Sequence, residues 1–187
     1  MPSDVDKPLL FVTSNAGKLR EAREILGRPV EGQPLELEEI QSEVLREIVI
    51  YKANHAYNVL RQPLFVEDTA LCFSAWGGLP GPFIKFFLEK LGSDGLVRAL
   101  EPFGDFSTTA VCGVGYHDGE QVHYFEGQVS GRAVPPRVED GFGWDLLFVP
   151  EGDERTFAEM TPQEKHAYSM RGEAIGKLGE FLKTHPI

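Results

Sequence analysis

Cysteine is scarce in this chain. There are two in 187 residues, Cys72 and Cys112, each inside an apolar run. So few thiols exclude a disulfide-stapled scaffold and a multi-cysteine zinc site, and they fit buried free thiols in a reducing compartment. Basic residues are also short, 18 Lys and Arg against 29 Asp and Glu, for a formal charge of −11. That balance excludes a surface that coats nucleic acid or lies on an anionic membrane, since both need a basic face. It does not exclude a phosphate ligand, because a local cluster of cations overrides distant acids and carboxylates can recruit a divalent cation. No apolar run approaches the length of a membrane span, and residues 1–7 lack the apolar core of a secretory leader. The composition reads as a cytoplasmic protein with no membrane and no nucleic-acid partner. Repeats and flexible linkers are missing too, so 1–187 reads as a single domain, with residues 1–8 a short flexible tail.

What is present begins with Phe11-Val12-Thr13-Ser14-Asn15-Ala16-Gly17-Lys18. An apolar strand over 9–12 runs into small and polar residues, then a lysine, then a helix over 18–26. Such a turn gathers N–H groups, hydroxyls and an ammonium at one helix N-terminus, where a polyphosphate is readily held. The Walker spacing is absent, and the same residues also suit an ordinary N-cap. Further on, the pattern predicts a strand over 35–40, a helix over 45–60 and a short buried strand over 64–66 that ends in Glu67-Asp68-Thr69. Gly77-Gly78-Leu79-Pro80-Gly81-Pro82 is a rigid turn leading into a helix over 83–91, with a second helix near 95–100. A hairpin follows, with strands over 108–116 and 121–129, then a strand over 146–149 and helix from 161 to 182. The order, α/β at the start with a β-rich centre and a helical end, gives the fold class α/β and suggests one sheet-based body with a lobed extension.

Several groups carry chemistry. Adjacent residues of a strand point to opposite faces, so Glu67 and Asp68 cannot both serve one ion; they read either as two solvated acids at a loop or as one acid that faces a site while the other braces it. Glu39 lies among glutamates that read equally well as a solvated face, and Lys52 on the following helix reads as an exposed lysine or a phosphate contact. In Gly141-Phe142-Gly143-Trp144-Asp145, aromatics alternate with glycines, either to offer ring faces to a base or as core rings between turn residues. Lys165 and Arg171 are six apart and face one site only if the helix bends near Tyr168-Ser169. No G-x-S-x-G elbow is present, which argues against acyl chemistry.

Taken in order, Thr13-Ser14-Asn15-Ala16-Gly17-Lys18, Val66-Glu67-Asp68-Thr69, Gly77-Gly78-Leu79-Pro80-Gly81-Pro82-Phe83-Ile84-Lys85, Phe142-Gly143-Trp144-Asp145, Phe157-Ala158-Glu159-Met160 and Ser169-Met170-Arg171 resemble the inosine triphosphate pyrophosphatase family. The resemblance spans nearly the whole chain, and it implies an elongated mixed sheet flanked by helices, in two lobes with a substrate cleft between them. It implies hydrolysis of non-standard purine nucleotides (ITP, dITP, XTP) to the monophosphate and pyrophosphate with Mg²⁺, Mn²⁺ being able to substitute, in a homodimer. It also assigns roles. Thr13, Ser14, Asn15, Ala16, Gly17, Lys18 and Lys52 would hold the triphosphate, with Lys85 and Thr69 adding contacts. Glu39 and Asp68 would be the metal-associated acids, with Asp68 and Lys18 catalytic. Phe142, Gly143, Trp144, Asp145, Lys165, Met170 and Arg171 would form the base pocket. One position departs: the family usually reads Ser-His-Arg where this chain has Ser169-Met170-Arg171, and methionine cannot donate a hydrogen bond. Two other readings are a related Maf-like pyrophosphatase of other nucleotide preference and a non-catalytic ITP-binding sensor.

Overall fold

The computed structural model describes residues 7–141 and 143–185. Its elements are β1 (Leu9–Val12), α1 (Ala16–Leu26), β2 (Val30–Gln33), α2 (Leu45–Leu60), β3 (Leu64–Phe73), β4 (Pro80–Gly81), α3 (Ile84–Leu100), β5 (Ser107–His117), β6 (Val122–Ala133), β7 (Phe148–Pro150), α4 (Pro162–Tyr168) and α5 (Met170–Thr184). The strands form one seven-stranded sheet in the order β2-β1-β3-β5-β6-β7, with β4 on β3. It is mixed: β1 runs parallel to β2 and β3, while β4 and β7 run antiparallel to β3 and β6. Among the described residues no helix is long and apolar enough to cross a membrane.

By contacts the chain divides into two compact units. The first takes the chain through Asp68, then Cys112–Gly127, then the part from Arg171 onward; the second is Thr69–Val111 and Gln128–Met170. In the first unit, the βαβ start of the chain sets Phe11 opposite Phe65 in register, and their rings stack 4.2 Å apart. Helix α2 buries Leu45, Ile48, Val49, Ala53 and Ala56 along one face, the spacing of an amphipathic helix. It can sit close to β5 because Gly113 and Gly115 face it: a Cβ on Gly115 would come within 2.8 Å of Val49 Cγ1. That close seat fixes the height of Lys52, one turn along from Val49.

In the second unit, Phe148 packs edge to face with both Trp144 and Phe157, its ring centre 5.0 Å from that of Phe157. Gly131, on β6, pairs with Pro150 of β7, where a Cβ would fall 2.2 Å from the Val149 carbonyl oxygen. Backbone cannot yield as a side-chain tip can. Gly131→Ala is therefore expected to destabilise by about 1–3 kcal/mol in denaturant titration, and a variant as stable as the parent would contradict this close packing.

The two helices expected over 83–91 and near 95–100 are both present: α3 is two helices joined at a kink, where Gly92 has φ +68° and ψ 171°. Three expectations need correction. Residues 35–40 form no strand; the strand is β2, earlier and shorter, placed by pairing with β1. The strand expected to stop at Val66 continues to Phe73, so Glu67, Asp68 and Thr69 sit mid-strand. The C-terminal helix is two, because Ser169 adopts extended backbone (φ −80°, ψ 138°), so the chain does bend there.

Candidate active site

The loop after β1 is ordered by its own side chains. Thr13 Oγ1 accepts from the Asn15 amide at 3.1 Å, and Asn15 Oδ1 accepts from the Gly17 and Lys18 amides at 2.9 and 3.1 Å. Asn15 is thus the N-cap of α1, with its Oδ1 on the amides that a phosphate oxygen would otherwise take. Ser14 and Ala16 are exposed beside it. Lys18, on the first turn, reaches Glu67 Oε1 at 3.3 Å.

Glu67 and Asp68 do face different partners, as strand geometry requires. The Glu67 carboxylate is buried and receives two bonds from Arg171, Nε to Oε2 at 2.9 Å and Nη2 to Oε1 at 3.2 Å. Arg171, only 4 % exposed, also donates from Nη1 to Glu21 Oε2 at 2.6 Å. Burial works against the charge on Glu67, but Arg171 and then Lys18 outweigh it and hold its carboxyl at about 2. Burial opposes the charge of Arg171 too, yet Glu67 and Glu21 raise it well above its ordinary value. Cys112 lies next to this network; burial and then Glu67 push its thiol well up, which makes it inert.

Asp68 turns the other way. Its Oδ2 accepts from Lys52 Nζ at 3.0 Å, and the same ammonium donates to Glu39 Oε1 at 3.0 Å. Burial lowers the Lys52 pKa, but Asp68 and then Glu39 reverse that and raise it overall. Among the described residues no cluster of three His, Cys, Asp or Glu groups is arranged to hold a metal by itself. Still, two carboxylate oxygens on one small cation make a donor set that suits a hard divalent ion completed by substrate oxygens and water.

In the second unit, Lys165 Nζ donates to Asp145 Oδ2 at 2.6 Å, with both groups buried and the ammonium 5.5 Å from the centre of the Phe157 ring. Trp144 is 7 % exposed, with its ring against Phe148 and Phe157. Gly143 has φ +59°, and a Cβ on Gly141 would meet Leu146 Cδ2 at 2.7 Å, so both glycines serve this turn. Phe142 lies outside the described residues, as do residues 1–6 of the tail expected over 1–8. Thr69 is half-buried on β3, Lys85 is exposed on α3, and Met170 is 1 % exposed at the start of α5.

A family model, described as the Ham1 family, matches residues 9–181. The chain belongs to the Ham1 family. This Ham1-family chain is 47% identical over 179 residues to an inosine triphosphate pyrophosphatase of Yarrowia lipolytica, covering 93% of this chain and 95% of that protein. It is 41% identical to the protein of the same name from Schizosaccharomyces pombe, covering 94% and 95%. Among solved structures, a HAM1 protein from Coxiella burnetii superposes with a TM-score of 0.83 at 27% identity, covering 95% of this chain and 98% of that one. A nucleoside-triphosphatase, dITP/XTP pyrophosphatase, from Mycobacterium abscessus superposes with a TM-score of 0.71 at 27% identity, covering 92% and 98%.

Sequence reasoning passed over Glu21. The available signal was its place three residues beyond Lys18, on the same face of α1. Its partner, Arg171, is 150 positions away, and no local pattern announces such a pair.

Proposed function

We propose that this protein is a nucleoside triphosphate pyrophosphohydrolase that converts ITP, dITP and XTP to the monophosphate and pyrophosphate. The observation that carries this is the division of labour at Glu67 and Asp68. One carboxylate is buried and neutralised by Arg171, while its neighbour stays half-exposed on Lys52 beside Glu39. The names of the relatives at 41–47% identity support the same reading. In it, Asn15, Thr13 and Gly17 shape the loop, and Lys18 and Lys52 meet the phosphates, with Ser14 and Ala16 adding contacts. Asp68 orients the attacking water and takes its proton. Glu39 and Asp68 hold Mg²⁺, which when bound offsets the charge that develops on the phosphate oxygens.

Trp144, with Gly143 and Phe142, walls the base; Asp145 and Lys165 border it. Arg171 keeps N–H groups not given to Glu67 and Glu21, and these suit a 6-oxo group. An adenine amine in place of the 6-oxo group would leave donors unpaired, at a cost of about 1–3 kcal/mol per buried group. The active form is a homodimer.

The position of cleavage tests the reaction. Phosphorus NMR of ITP with enzyme and Mg²⁺ is expected to show IMP and pyrophosphate; IDP and orthophosphate would sink the assignment. Met170, where a donor is expected, is predicted to relax selection at the base. Met170→His should then raise the ITP-to-ATP ratio of kcat/KM by about tenfold, the worth of one hydrogen bond, with cleavage retained. A ratio left unchanged removes Met170 from base selection.

A further inference from the structure

We propose that Lys52 is a built-in stand-in for the divalent cation: its ammonium clasps Glu39 and Asp68 in the free protein and yields them when cation and nucleotide arrive together. This rests on the reading of Glu39 and Asp68 as the metal-associated acids, and adds to it a competitor carried by the chain itself.

The geometry supplies the reason. Lys52 Nζ lies 3.0 Å from one oxygen of each carboxylate, so those two oxygens are no more than about 6 Å apart with a positive charge between them. A small divalent ion needs its oxygen ligands at about 2.0–2.1 Å. It cannot take both oxygens while the ammonium stays, since the two cations would compete for one place and repel each other. The acids must also close by up to roughly 2 Å, given that ligand distance. Glu39 can supply that movement: its side chain is 65% exposed, on a segment, 34–44, without regular structure. Asp68 is held in β3 and Lys52 on α2, so Glu39 is the mobile member.

The role of the ammonium follows. In the free protein it cancels part of the repulsion between two acids and keeps Glu39 near Asp68. Once released, the same charge is available to a phosphate. The cation then binds weakly alone and more tightly with a nucleotide whose phosphates draw Lys52 away. By linkage, the cation must tighten the nucleotide by the same factor.

Mn²⁺ binding by electron paramagnetic resonance tests this without turnover, on the full chain, with and without an ITP analogue bridged by methylene between the α and β phosphorus. The parent should bind Mn²⁺ about tenfold more tightly with the analogue than without it. Lys52→Met should bind Mn²⁺ alone about tenfold more tightly than the parent and lose most of the enhancement. Lys52→Arg keeps the clasp and should stay weak, a control that also guards against a misfolded methionine variant. Overturning results are Lys52→Met binding Mn²⁺ alone no more tightly than the parent, or a parent with no enhancement. Mn²⁺ binding that is indifferent to both Glu39→Gln and Asp68→Asn would remove the metal reading itself, and this proposal with it.

Discussion

Asp68→Asn is expected to lower pyrophosphate release from ITP by about 10²–10⁴-fold, the range lost with a general base, while the fold survives. Asp68 is half-exposed and its Lys52 partner keeps Glu39, so the amide loses charge without stranding a buried cation. Thermal unfolding within a few degrees of the parent, with activity lost, is the expected pair of results. An active Asp68→Asn enzyme would move the base elsewhere on the chain. Glu67 is the poorer candidate, because a carboxyl held at about 2 by Arg171 and Lys18 is a weak proton acceptor.

Arg171→Met is expected to behave in the opposite way, failing first in stability. It leaves Glu67 buried beside Lys18 alone and Glu21 without its 2.6 Å partner. Removing one partner of a buried ion pair costs about 3–5 kcal/mol, which for a chain of this size lowers Tm by roughly 10 °C or more. Adding Glu67→Met to Arg171→Met should recover part of that loss, since the stranded charge goes with it. A single variant as stable as the parent would mean that the network is not a stabilising element.

The same network sets an acid limit. The folded Glu67 pKa lies below its ordinary value of 4.5, so its contribution is fully present above about pH 4.5. It is lost as pH falls toward 2, by an amount on the order of 3 kcal/mol. In Glu67→Gln that part of the slope should be missing from urea unfolding measured between pH 5 and 3.

The local patterns that could be read were those whose cause is local. Helix α2 was legible over its whole length, 45–60, because its apolar spacing depends on no distant residue. The helix start at 161, where Thr161 and Glu164 form one capping box, and the hairpin turn over 117–120 were legible for the same reason. The segment 35–40 misled because alternating Leu and Glu imitates a half-buried strand, yet no neighbouring strand offers it a ladder. Val30–Gln33, with a weak pattern and a glycine, is a strand because β1 lies beside it.

Glu67 and Asp68 looked like a strand end because two acids in a buried strand are costly unless paired. The cation that neutralises Glu67 comes from a helix 104 residues away. The candidate site was legible as a list of residues in family order, and from strand alternation as two acids that face different partners. Which cation serves which acid, and the place of Glu21 and Lys52 between them, needed coordinates.

A pyrophosphate-releasing enzyme that selects the 6-oxo group is recognised by what it cleaves. The most telling assay is pyrophosphate release with Mg²⁺ from ITP, XTP, ATP, GTP and dUTP in parallel. Release from ITP and XTP well above ATP and dUTP is the predicted result. Comparable release from ATP or dUTP, or tight ITP binding with no pyrophosphate at all, would contradict it.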